Sequence, residues 1–145
     1  MALATDIAEA LVTALNAHAF SVALTAERHY LPSFELKELK DLRVTVVPKG
    51  VAMSMAGRGI SQHDVQIDVA VQKKLTAADN AEIDELMGLV EEIAEFVRAE
   101  RRLVLPAAGE ALWVNAANEP VYAPEHLAEQ RTFTSVLTLT YRVIK

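Results

Sequence analysis

Residues 63–75 read HDVQIDVAVQKKL, from His63 to Leu75, and their alternation decides the fold class. Val65, Ile67, Val69 and Val71 fall on one side of an extended chain, and Asp64, Gln66, Asp68 and Gln72 on the other, because successive side chains of a strand point to opposite faces. One apolar and one polar face mark a sheet that is covered on one side only. Such a strand belongs to an antiparallel sheet with helices on one face. It argues against a doubly wound parallel sheet, whose strands are apolar on both sides.

Working outward, Thr76 to Asp79 offers a capping-box-like start, and a long helix is predicted from about 81 to 102. Ile83, Leu86, Met87, Val90, Ile93, Phe96 and Val97 form its apolar stripe. Its acids come early and Arg98, Arg101 and Arg102 come late, which suits the helix dipole. At the far end of the chain, Phe133, Ser135, Leu137, Leu139, Tyr141 and Val143 alternate with Thr134, Val136, Thr138, Thr140 and Arg142, a strand rich in β-branched residues.

Upstream, Ile7, Leu11 and Leu15 at spacings of four predict a short amphipathic helix, with Thr5 or Asp6 available as its cap. Phe20, Val22 and Leu24 alternate with Ser21, Ala23 and Thr25 and predict a strand that ends before Pro32. A helical turn is expected over 35–40, followed by a second strand over 42–48 with Leu42, Val44 and Val46 on one face. Residues 48–61 hold Gly50, Gly57 and Gly59 without apolar periodicity and read as a long mobile loop. The 105–130 segment reads as irregular, with a short turn near Pro124. The order is helix, strand, strand, strand, helix, strand. The expected fold is therefore α+β, a four-stranded, mainly antiparallel sheet with two helices packed on one face, in a single domain over 1–145.

The 145-residue length and 52% hydrophobic content suit one core,. The chain has no cysteine, which excludes thiol catalysis, cysteine-ligated zinc and disulfide frameworks,. The apolar N-terminal stretch carries Asp6 and Glu9 and no basic leader, so it does not read as a signal peptide. No uncharged apolar run approaches the ~20 residues that span a bilayer. The net charge of −6 disfavours general attraction to DNA or to anionic lipid,.

Candidate chemistry is sparse. His63, Asp64 and Asp68 are types that bind metals or carry protons. On a strand, however, His63 faces away from Asp64, and the two aspartates lie roughly 13 Å apart. Glu125, His126, Glu129 and Arg131 match no metalloprotease spacing and read as a cap or surface cluster. The glycines of 50–59 with Arg58 lack the lysine and hydroxyl residue of a P-loop. The five serines show no nucleophile elbow, and the histidines have no recognisable pairing with them. No catalytic residue, cofactor or metal site is therefore expected. Met53 and Met55 would give adaptable apolar contacts to another subunit.

Five stretches carry a resemblance: AERHYLP (26–32), LRVTVVP (42–48), DVQIDVAVQKKL (64–75), IDELMGLVEEIAEFV (83–97) and PEHLAEQRTFTSVLTLTYR (124–142). Over nearly its full length the chain resembles the tail-terminator and head–tail joining proteins of tailed bacteriophages, which include neck and tail-completion proteins. The resemblance implies a structural virion protein, not an enzyme, that forms a ring, usually a hexamer, at the head-proximal end of the tail tube. Its implied partners are copies of itself, the tail tube protein and a head-side connector or stopper, with genomic DNA passing through the lumen without specific binding and no membrane involved. Its implied location is the virion, in the tail or neck, and the host cytoplasm during assembly. The expected interface residues are Met53, Met55 and Arg58 in the loop and Trp113, Asn118 and Tyr122 in the irregular segment. The competing reading is a small ligand-binding or hydrolytic enzyme with a pocket near the 105–130 segment, lined by groups such as His63, Trp113, Tyr122 or His126.

Overall fold

The structure is a computed structural model, and it describes residues 2–30, 40–77, 79–106, 109–119 and 121–145. The chain order is α1 (Leu3–Ala17), β1 (Ala26–Arg28), β2 (Arg43–Gly57), β3 (Ile60–Lys74), α2 (Asn80–Glu100), β4 (Arg102–Leu105), β5 (Gly109–Asn118), α3 (Pro124–Gln130) and β6 (Thr132–Ile144). The six strands form one sheet in the order β1-β2-β3-β6-β5-β4. β1 runs parallel to β2 and every other neighbouring pair is antiparallel. The sheet curls into a half-barrel.

This overturns the expected four-stranded sheet with two helices. Three particulars account for the difference. The apolar alternation of Phe20, Val22 and Leu24 does not make a strand. Instead Phe20 packs edge-on to Phe96 of α2 with centroids 5.5 Å apart, and His18 stacks on Phe96 at 4.4 Å. Ser21 donates its N–H and hydroxyl to the Glu92 carboxylate at 2.9 and 2.6 Å. Those contacts hold the segment across the helix, and only Ala26–Arg28 reaches the sheet.

The second particular is the supposed mobile loop at 48–61, which is a continuation of β2 and β3. Pairing runs from Arg43↔Gln72 out to Gly57↔Ile60, with register shifts at Pro48/Gly50 and Met55/Gly57. Val51, Met53 and Met55 do alternate with Ala52, Ser54 and Ala56, but the flanking glycines interrupt the pattern and the three apolar residues bury little, so ladder hydrogen bonds rather than burial hold the strand. Arg58 and Gly59 make the turn, and Gly59 takes φ of +71°, left-handed backbone that glycine adopts without a Cβ clash,. Third, the segment expected to be irregular contains the strand β5, and the short turn expected near Pro124 is the helix α3, while β4 begins where the long helix was expected to end. The strand end expected before Pro32, and all but Lys40 of the turn expected over 35–40, lie outside the described residues.

Two further boundaries differ. The N-cap of α1 is Ala2, with no side-chain cap, so neither Thr5 nor Asp6 fills that role. The long helix ends at Glu100. Arg101 turns out of it at φ 62° with its N–H on Val97 O at 3.1 Å, and Arg102 already belongs to β4. At the other end of α2, Asp79 accepts the Glu82 N–H at 2.9 Å. The Glu82 carboxylate in turn accepts from the Thr76 and Ala77 N–H groups at 2.7 and 3.0 Å, fastening the incoming chain,.

One continuous core lies between the helices and one face of the sheet. α1 supplies Ile7, Leu11 and Leu15, and α2 supplies Leu86, Leu89, Val90, Ile93 and Val97. β3 supplies Val65, Ile67, Val69 and Val71, while β6 supplies Phe133, Leu137, Leu139, Tyr141 and Val143. The register Val65↔Tyr141, Ile67↔Leu139 and Val69↔Leu137 sets these side chains beside one another in cross-strand pairs,. The strands so joined are about seventy residues apart in the chain.

Candidate assembly surfaces

Beyond the helices, the distal parts of β2 and β3 form an arm. Val51, Met53 and Met55 pair with Val65, His63 and Ser61. Because Val65 faces the core, all three apolar residues project on that same side, past the end of the helical cover. Their exposures are 50%, 68% and 87%. The opposite edge of β2 is bare from Val47 onward among the described residues, since β1 pairs only with Val44 to Val46. Residues 47–59 carry Lys49 and Arg58 and no carboxylate. Arg58, exposed at the turn, has no hydrogen bond or ion pair with any described residue.

The arm is braced at its base. Ser61 and Lys145 exchange both backbone hydrogen bonds at 2.8 and 2.9 Å, so β6 supports β3 almost to the turn. Arg142 grips Asp64 with Nε on Oδ1 at 2.8 Å and Nη2 on Oδ2 at 3.1 Å. The Arg142 guanidinium holds the Asp64 carboxyl below the usual carboxylate range, and the carboxylate in turn raises the Arg142 pKa,. Asp68 is engaged separately, accepting from the Thr138 hydroxyl at 2.7 Å and lying 3.8 Å from Lys49 Nζ. His63, on the core side, is buried. The three residues considered as a metal cluster are thus divided between two faces and two sets of partners. Among the described residues no three His, Asp or Glu side chains are grouped to hold a metal ion. No described helix is long and apolar enough to cross a membrane.

Of the six expected interface residues, the structure brings together Met53, Met55 and Arg58 only. Trp113 lies on β5 and packs against the core, with its Nε1 buried and without a hydrogen-bond partner among the described residues. It borders a hollow of about 480 Å³ shared with Arg98, Arg101, Arg102 and Leu112. Asn118 ends the same strand and ties it to β6, donating to Ser135 Oγ at 3.0 Å and to Val136 O at 2.8 Å. Its role there is structural. Tyr122 is 41% exposed, next to Val121 at 42%. His126 Nδ1 lies 2.8 Å from Thr134 Oγ1. His63, Trp113, Tyr122 and His126 share none of the five hollows described along the surface.

Sequence reasoning overlooked one further surface, a hollow of about 360 Å³ between α1 and the edge strand β4. Asp6, Glu9, Ala10 and Thr13 line one side, and Arg102, Leu103, Val104 and Pro106 the other. Val104 is 75% exposed on that edge. The only signal in the sequence was the pair of acids on the polar side of the first helix, which reads equally well as solvated surface.

No protein-family model matches the chain, and no curated protein matches it.

Proposed function

We propose that the protein is a structural ring subunit of the phage tail-terminator or head–tail joining type, whose function resides in contacts between copies. The observation that carries the reading is the braced arm, with a β2 edge bare among the described residues, exposed methionines and a basic tip. A monomer gains nothing from holding Met53 and Met55 in water on an ordered strand. A neighbour that covers them gains about 25 cal/mol for each Å² of apolar surface removed from water. The arm lies at one edge of the sheet and β4 at the other, so contacts between the two edges are head-to-tail and close into a ring when the rotation permits. The resemblance of the sequence supplies the biological setting, a ring on the tail tube beneath the head-side connector.

The test is the mass of the purified protein over a concentration series by light scattering after size exclusion, with negative-stain images of each peak. Closed rings that bind the ends of isolated tail tubes are the expected result. A 15.9 kDa species at every concentration, with no binding to tubes, overturns the proposal.

A further inference from the structure

We infer that the hollow between α1 and β4 is the receptor for the arm of a second copy, with Arg58 of the incoming arm meeting Asp6. This rests on the ring reading and names the contact that would build the ring. The first observation is Asp6 itself. Its residue is only 9% exposed, it borders the hollow, and no described residue gives its side chain a hydrogen bond or an ion pair. Asp6 stands in the first turn of α1 with its carboxylate open to the hollow and paired with no described residue, so an arriving cation finds a free acid there,.

The second observation is complementarity. The neighbouring groups are already committed elsewhere: Glu9 to Arg28 at 2.5 Å, and Arg102 to Glu110 at 3.3 Å. Asp6 is thus the lining acid left to be matched. The hollow's other walls are apolar, with Ala10, Leu103, Val104 and Pro106. The arm presents the same combination in reverse, an exposed guanidinium at the turn with Met55 and Met53 behind it and no carboxylate between 47 and 59. Methionine side chains adapt readily to such an irregular apolar wall.

The third observation excludes the chain's own arm. In the strand order β1-β2-β3-β6-β5-β4, β2 and β4 stand four strand positions apart, and β2 is held in register to β3 as far as Gly57. The tip cannot fold into the hollow of its own sheet. A second copy offers the tip freely, and each copy keeps an unused arm and an unused hollow until the ring closes.

The absence of cysteine makes the contact directly testable by disulfide trapping. Met55→Cys and Val104→Cys are made as separate variants, mixed, and oxidised. Both sites are exposed, so neither change disturbs the core. The expected product is a reducible cross-linked pair in the mixture, formed faster than from either variant alone, and a ladder of higher species from the double variant. Arg58→Glu, at an exposed turn, should weaken self-association about tenfold or more, and Arg58→Lys should retain most of it. Circular dichroism of each variant confirms an unchanged fold. Oligomers that persist undiminished in Arg58→Glu, with no 55–104 cross-link, overturn this contact while leaving the ring reading standing. A wild-type chain that is monomeric at every concentration overturns both.

Discussion

Ile67 offers the sharpest check on how the core is built. It has no exposed surface, sits in the middle of β3, and pairs across the strands with Leu139, which is equally buried. Ile67→Ala removes three carbon groups, worth about 2.4 kcal/mol at ~0.8 kcal/mol each. A residual cavity of about 50 Å³ adds roughly 1.2 kcal/mol at ~24 cal/mol per Å³, because two ladders and the overlying helices limit collapse. The total is about 3.5 kcal/mol. For a chain of this size that corresponds to a melting point lower by about 10 °C. Urea unfolding followed by circular dichroism measures it, with Met55→Ala as the control. Met55 is 87% exposed, so its truncation should change stability by less than about 0.5 kcal/mol when the protein is dilute,. A loss below about 1 kcal/mol for Ile67→Ala, or an equal loss for Met55→Ala, would refute the division into a packed core and an uncovered arm.

Other outcomes follow from particular groups. Asp64, Glu82 and Glu92 are all held below their ordinary pKa, by the Arg142 guanidinium, by the Ala77 N–H with the Thr76 hydroxyl, and by the Ser21 hydroxyl and N–H respectively. A lowered folded-state pKa contributes stability above the unfolded value and loses it as pH falls through the folded value. The urea midpoint should therefore be steady near neutrality and decline below about pH 4. Each group should contribute under about 1 kcal/mol, since all three are partly exposed and screened by solvent; a midpoint equal at pH 7 and pH 3 would contradict these assignments. Gly59→Ala places a Cβ at φ +71° and should cost about 1 kcal/mol, with faster amide exchange confined to the arm,. Unchanged exchange in residues 50–62 would show that the turn does not organise the hairpin.

The elements whose side chains are buried on one face were legible in advance. The alternation over 65–71 and 133–143 and the stripe over 83–97 stand where the strands and the long helix lie, because burial imposes the period,. Of the candidate interface, Met53, Met55 and Arg58 stand out in the sequence as apolar and basic residues near glycines, a composition that suits a loop as well as the hairpin they form. Trp113 and Asn118 looked like surface residues in a segment broken by prolines, yet both serve the packing of β5.

By itself the sequence determined what each segment could bury: an apolar strand face, an apolar helix stripe, an acidic chain without thiols. Only the tertiary structure decided the pairing. β6 inserts between β3 and β5, the first alternating segment leaves the sheet to lie on α2, and residues 50–57 become a strand because β3 and β6 extend beneath them. Ladder hydrogen bonds are made by the backbone, which every residue shares, so strand partners and the edges left free for assembly leave little trace in side-chain pattern. Which carboxylate is left without a partner in a hollow is likewise a property of two distant segments meeting, and neither segment records it alone.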